Sequence, residues 1–118
     1  MLPAEYRMRR ARDFERTMRR GYRVARPLLV VHMARDATGG GAVKVGFVVS
    51  KAVGGAVVRN AVRRRLRHLM RERLTRLPGG TYLVVRARPA ASAARHEALA
   101  AELDEAIDRA LDRVGAPA

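Results

Sequence analysis

Residues 56–72, AVVRNAVRRRLRHLMRE, constrain this chain more than any other stretch. At a helical period Val58, Val62, Leu66, Leu69 and Met70 fall on one stripe, which predicts an amphipathic helix seated on a core. Arg59, Arg63, Arg67 and Arg71 recur every four residues on a neighbouring stripe, with Asn60 and Arg64 beside them. Like charges at that spacing oppose an isolated helix, and only Glu72 is near enough in sequence to offset any of them. A solvated helix face normally interleaves acids with its bases. This one does not. Guanidinium groups present flat, permanently charged forks suited to phosphate oxygens and base edges, so nucleic acid is the expected partner.

The charge balance agrees. Over 118 residues, 25 Lys+Arg against 11 Asp+Glu leave a net charge of +14, a balance that speaks about partners rather than fold. The length suits one domain with a modest core. Residues 1–35 carry ten basic and three acidic side chains, residues 51–78 nine and one, and residues 79–118 five and six. Two basic segments therefore flank a neutral centre, and the last third reads as scaffold. Cysteine is absent, which removes disulfides, thiol nucleophiles and thiolate metal sites. No apolar run reaches membrane-spanning length, and the opening MLPAEYRMRR lacks the apolar core of a signal peptide. A cytoplasmic protein with no membrane partner is expected.

The expected order of elements is α-β-β-α-β-α. A basic arm, residues 1–10, precedes a short helix over residues 11–20 that ends at Gly21. Phe14 and Met18, four apart, share a face of it, ringed by Arg16, Arg19, Arg20 and Arg23. Core packing accounts for such a pair; so does a surface on which unpaired bases stack while arginines hold phosphates. Residues 28–34 (LLVVHMA) and 43–50 (VKVGFVVS) read as two strands of an antiparallel hairpin, joined by a turn-forming stretch over 36–41. Gly46 signals a bulge or a close backbone approach, and His32 reads as a sheet histidine. Arg73 falls back on the apolar stripe, so the arginine helix is expected to bend or end near it. Leu77-Pro78-Gly79-Gly80 breaks the chain, and residues 81–87 (TYLVVRA) make a third strand. A closing helix, with Ser92 as candidate cap, places Leu99, Leu103, Ala106, Ile107 and Ala110 on one side. Glu102, Glu105, Asp108 and Asp112 form an ordinary solvated face on the other. Residues 115–118 read as a tail.

No catalytic or metal-binding residue is expected. His32, His68 and His96 lie on three different elements, without His-x-x-x-His or His-Glu spacing. Ser50 has no local base and no Gly-x-Ser-x-Gly elbow. The Gly54-Gly55 turn is not a phosphate loop, because Lys51 precedes the glycines, although backbone N–H groups at the helix start could hold a phosphate. Any chemistry is expected to belong to a partner molecule.

Together these residues resemble a known family. Residues 45–67, VGFVVSKAVGGAVVRNAVRRRLR, are similar to the signature of the protein subunit of bacterial ribonuclease P, in which Ser-Lys-x-x-Gly-x-Ala-Val-x-Arg-Asn-Arg opens a basic helix. Ser50, Lys51, Gly54, Ala56, Val57, Arg59, Asn60, Arg63, Arg64 and Arg67 meet the pattern in register. Arg7-Met8-Arg9 with Asp13-Phe14 resembles the family's basic arm and first helix, and residues 82–89 (YLVVRARP) its last strand. There are departures: Ala61 replaces an arginine, Ala52 a lysine, Met18 a frequent phenylalanine and His32 a frequent tyrosine.

The resemblance implies an α+β fold, a small single-domain α/β sandwich like the second domain of ribosomal protein S5. Its strand–helix–strand unit would cross over left-handed, against the usual rule. It implies one RNA-binding domain over residues 1–118, acting as a protein cofactor. The implied partners are ribonuclease P RNA, which cleaves with Mg²⁺, and precursor tRNA, whose 5′ leader is removed; no protein partner is required. Arg59, Asn60, Arg63, Arg64 and Arg67 are implied to contact the RNA subunit, supported by Lys51 and Arg9. Phe14, Met18 and His32 are implied to line the cleft for the single-stranded leader. The alternatives from other classes are a structural ribosomal protein and a DNA-binding module, the latter without a helix-turn-helix signature or residues free to read base edges.

Overall fold

The two β-rich runs of seven residues each, 29–35 and 81–87, take the central positions of a four-stranded sheet, where strands are covered on both faces. In the computed structural model, which describes residues 2–36 and 41–114, the strands are β1 (Tyr22–Ala25), β2 (Leu29–Arg35), β3 (Lys44–Val48) and β4 (Thr81–Ala87), in the order β1-β2-β4-β3. The helices are α1 (Ala11–Arg20), α2 (Ala56–Arg71) and α3 (His96–Val114). Residues 37–40 of the expected turn and the expected tail, 115–118, lie outside the described residues.

The expected hairpin between the first two predicted strands does not form. β4 inserts between them, antiparallel to β2 with Val31 opposite Val85, and parallel to β3 with Val45 opposite Leu83. A glycine-rich connection signals a reversal of the chain but not the identity of the neighbour. β2 pairs with β4 along its whole length, which a five-residue strand thinned by Gly46 could not offer. The expected order also lacks β1. That strand holds Arg23 and runs toward Pro27, so it reads as a connection, its only signal being the alternation of Tyr22 and Val24. It forms the actual hairpin with β2, closed by the Arg26 N–H donating to the Leu29 carbonyl at 2.8 Å.

Alternation divides the sheet into two faces. On one, Val24, Val31, Met33, Val45, Leu83 and Val85 join Leu66, Leu69 and Met70 of α2 and Leu99, Leu103 and Ile107 of α3 in a continuous core. Each such buried side chain contributes about 1.5–3 kcal/mol. α1 packs on the other face, against β2 and β4. The apolar stripe of α2 is buried from Val62 onward, whereas Val58 is 40% exposed. Val58 leans over Gly54, whose φ of 155° and missing Cβ leave room for it, so the first turn of α2 projects beyond the core.

The N-terminal arm is docked. Leu2 is buried, and the Met8 N–H donates to the Val45 carbonyl at 2.9 Å beside an Arg7–Val45 bridge. Residues 2–8 thereby cover the outer edge of β3, which would otherwise expose unpaired backbone groups.

α2 ends where Arg73 turns inward. Its Nη1 donates to the Leu69 carbonyl at 2.8 Å and its Nε to Asp104 Oδ1 of α3 at 2.6 Å. Arg76 pairs with Asp104 at 3.0 Å and with Asp108, and Arg26 with Glu105 at 3.2 Å. Of the face of α3 expected to be solvated, Asp108 and Asp112 are exposed, while Glu105 and Asp108 also pair with Arg26 and Arg76; Asp104, outside that set, is the counter-charge of Arg73 and Arg76. The hydrogen bond to Asp104 raises the pKa of Arg73, and the same bond lowers that of Asp104. Ser92 is not at the start of α3: it lies in the preceding 3-10 turn, its hydroxyl donating to the Pro89 carbonyl. Asp104→Asn is expected to reduce stability to urea by about 1–2 kcal/mol, because Arg73 keeps its charge and loses its charged partner. An unchanged midpoint would show the α2–α3 ion pairs to be dispensable.

Candidate nucleic-acid interface

The scaffold pairs involve the far end of α2 and its loop, not the arginine row of the helix. Among the described residues, no carboxylate pairs with Arg59, Arg63, Arg64, Arg67 or Arg71 of α2, nor with Arg7, Arg9 or Lys51. Helical phase sorts the α2 arginines into two kinds. Arg65 donates to the Ala91 and Ala94 carbonyls at 3.3 and 2.7 Å and ties α2 to the turn before α3. Arg59, Arg63 and Arg67 are half-buried in a row at four-residue intervals, with Asn60 and Arg64 exposed beside them. Asn60 Oδ1 accepts from Arg63 Nη1 at 3.0 Å, which aims that guanidinium.

Arg67 feels Arg7 and Arg63, and burial followed by those two charges lowers its pKa. An arginine so placed remains protonated, so three like charges meet with no acid among them. Arg7 was outside the contact residues implied from the sequence; the docking of residues 2–8 on β3 brings it in. Lys51 is exposed in the 3-10 turn that leads toward α2, and Arg9 is exposed on the N-terminal segment.

On the opposite face of the sheet a trough runs beside α1. Phe14 and Met18 are half-buried there. Gly46 is a close approach, one of the two readings its place in a strand allowed: a Cβ at that position would stand 2.3 Å from Phe14 Cε1. Only glycine lets the ring lie on the strand. One recess, of about 560 Å³, is lined by Phe14, Met18, Ala11 and Val48 with Glu15 and Arg19 at its rim. A second, of about 290 Å³, shares Val48 and gathers Arg23, Arg86, Arg88 and Ser50. A larger cleft of about 740 Å³ lies elsewhere, past the C-terminal half of α1. It sets Asp13 and Asp36 among its arginines and so lacks the uncompensated charge of the trough.

His32, implied to line this cleft, is 4% exposed; its ring lies beneath the trough rather than on its wall. His32 Nε2 accepts from Arg86 Nε at 3.1 Å, which places the ring proton on Nδ1. Burial first, then the Arg86 and Arg23 charges, lower its pKa to about 4. The Met18 carbonyl opposes that shift without forming a well-aligned bond to Nδ1. The ring is neutral near pH 7. His68 and His96, distant in sequence, stand with ring centroids 6.3 Å apart. Among the described residues, no group of three or more His, Asp or Glu side chains could hold a metal ion, and no helix is long and apolar enough to cross a membrane.

A family model described as Ribonuclease P matches residues 2–111. The chain belongs to the ribonuclease P protein family. The ribonuclease P protein component of Streptomyces avermitilis is 56% identical, with 94% of this chain and 96% of that one covered. That of a Mycobacterium species is 48% identical over the whole of both chains. Among solved structures, the Staphylococcus aureus RNase P protein superposes with a TM-score of 0.78 at 26% identity, covering 89% of this chain and 94% of its own. The Thermotoga maritima RNase P protein gives 0.74 at 24% identity, covering 87% and 96%. The mixed fold of one four-stranded sheet and three helices is therefore that of ribonuclease P proteins, and the family resemblance of residues 45–67 holds over nearly the whole chain. As a member of this family the chain is the protein component of an endoribonuclease that serves tRNA processing.

The buried ring carries a pH signature. Unfolded, His32 titrates near 6.5; folded, near 4. Between those values the unfolded state binds more protons, so stability rises with pH across the window and falls as pH is lowered through it. The urea midpoint is expected to drop between pH 6.5 and 4, and His32→Leu should flatten that part of the profile. An identical profile in the variant would contradict a neutral, buried ring.

Proposed function

We propose that this chain is the protein cofactor of a ribonuclease P holoenzyme, in which the arginine row of α2 binds the catalytic RNA and the trough beside α1 receives the 5′ leader of precursor tRNA. The observation that carries this reading is the sorting of charge. Carboxylates neutralise Arg26, Arg73 and Arg76 within the scaffold, and among the described residues none pairs with Arg7, Arg59, Arg63, Arg64 or Arg67. A fold that gathers cations in one place and keeps its acids away from them is suited to displacing counterions from a polyanion. Because Val62, Leu66, Leu69 and Met70 seat α2 rigidly, phosphate contacts made by its outer face set an orientation as well as an affinity. Arg9 and Lys51 extend the same surface in this reading.

In the trough, Phe14 and Met18 offer an unpaired base an apolar platform, which is how single strands are held without sequence preference. The cleavage itself is assigned to the RNA subunit. Mg²⁺ carried by that RNA would supply charge neutralisation at the scissile phosphate. The work left to the protein is to screen repulsion between two RNAs and hold the leader in register. A cytoplasmic location and independence from other protein partners belong to the same reading. Family membership favours it over a structural ribosomal role and over a DNA-binding module.

Precursor-tRNA cleavage at low Mg²⁺ is the direct test, with protein alone, ribonuclease P RNA alone, and both together. Only the mixture is expected to cleave efficiently; activity of the purified protein alone, or tight RNA binding without rescue, would refute the cofactor role. Arg67→Ala should weaken RNA binding and reduce its log–log salt slope by about 1. Phe14→Ala should cost about 1–3 kcal/mol of affinity for leader-bearing precursor and spare mature tRNA. Equal losses for both RNAs would remove the leader from the trough.

A further inference from the structure

On the face of the sheet that carries α1, alternation places Arg23 of β1, His32 of β2 and Arg86 of β4 together. Arg23 stands directly opposite His32, and Arg86 is its diagonal neighbour, two residues along β4 from Val84. A long side chain can span that diagonal, and Arg86 does so through the bond from Nε to His32 Nε2. With Nε engaged, both Nη groups remain as a flat pair of donors. Among the described residues no carboxylate pairs with Arg23, Arg86 or Arg88, although all three line one recess.

The identity of the anchor matters. A carboxylate at position 32 would hold Arg86 more tightly but cancel its charge. A neutral imidazole aims the guanidinium and leaves the full charge available for an anion. The recess adjoins the apolar one under Phe14 and Met18 through Val48. An apolar platform beside a cationic slot offers one unpaired strand a place for a base and, next to it, a place for a phosphate.

We infer that Arg86, aimed by the His32 ring, binds a backbone phosphate of the strand whose base occupies the Phe14–Met18 recess, with Arg23 and Arg88 as flanking cations. His32 is then a positioning residue that serves the trough through Arg86, not a contact to a base. This rests on the reading of the trough as the leader's site.

The test uses the reconstituted holoenzyme and measures affinity for leader-bearing precursor and for mature tRNA across a salt series. Arg86→Gln is expected to lower affinity for the precursor roughly tenfold, to reduce its salt slope by about 1, and to leave mature tRNA unchanged. His32→Leu should show part of the same loss, and His32→Gln, whose amide oxygen can accept from Arg86, should recover most of it. The double variant His32→Leu/Arg86→Gln should bind no more weakly than Arg86→Gln alone. Additive losses, or parental binding by His32→Leu, would overturn the positioning role. Unchanged affinity and slope in Arg86→Gln, or an equal loss for mature tRNA, would overturn the phosphate contact. If His32→Leu does not fold, His32→Asn, too short to reach Arg86, takes its place under the same expectations. Phe14→Ala separates the inference from the reading beneath it. A leader-specific loss there but none in Arg86→Gln defeats the inference alone; no leader-specific loss in either defeats the trough.

Discussion

A chain with a net charge of +14 can fold compactly only if part of its charge is neutralised inside the structure and the rest is kept off the core. The joint between α2 and α3 meets both conditions. Arg73, its side chain 16% exposed, places Nε and Nη2 on the two oxygens of Asp104 and Nη1 on the Leu69 carbonyl. A partly buried ion pair is strengthened when hydrogen bonds complete it, and here all three guanidinium nitrogens and both carboxylate oxygens are engaged. The mechanical result is angular. With its C-terminal end fixed to α3 and Arg65 fixed to the Ala91 and Ala94 carbonyls, α2 cannot rotate about its axis, so Leu66 stays inside and Arg59, Arg63 and Arg67 stay outside.

The elements with a strong local signature were legible in the sequence. α1, α2, β4 and α3 declare themselves through periodicity, although the cap read for α3 lies in the preceding turn, and Gly46 left a bulge or a close approach open, of which Phe14 makes the second. Strand neighbours were not legible, because pairing is decided by competition among distant segments: β4 outbids β3 for β2 by offering a longer, doubly buried partner. β1 was hidden by its charge and its proline neighbour. The arginine row could be read from spacing alone, since a helix has one phase. The scaffold pairs of α3 could not, because Arg73 and Asp104 are 31 residues apart and nothing local links them. His32 could be placed on a strand, but not its partner Arg86, 54 residues away.

The two candidate RNA surfaces lie on opposite sides of the sheet, yet one short segment touches both. Arg7 adds its charge to the cluster at Arg67. Its neighbour Met8 lies against Gly46, where the ring of Phe14 also rests. Residues 2–8 are thus a structural link between the arginine row of α2 and the trough beside α1, a role not suggested by their composition. Pre-set geometry of this kind lets binding energy go into register rather than into ordering loops.

The insertion of β4 between β2 and β3 also bears on how the molecule comes into being. During synthesis β2, β3 and the whole of α2 emerge before residues 81–87 exist to join them. Until then the β1–β2 hairpin can pair, while β3 has only the Arg7–Met8 segment beside it among the described residues. Such non-local, partly parallel pairing is intrinsically slow. The most basic helix of the chain therefore leaves the ribosome ahead of the strand that completes its seat, amid ribosomal and messenger RNA. Synthesis of β4 and of the acids of α3 is then the step that completes the seat of α2 and supplies the counter-charges of Arg73 and Arg76.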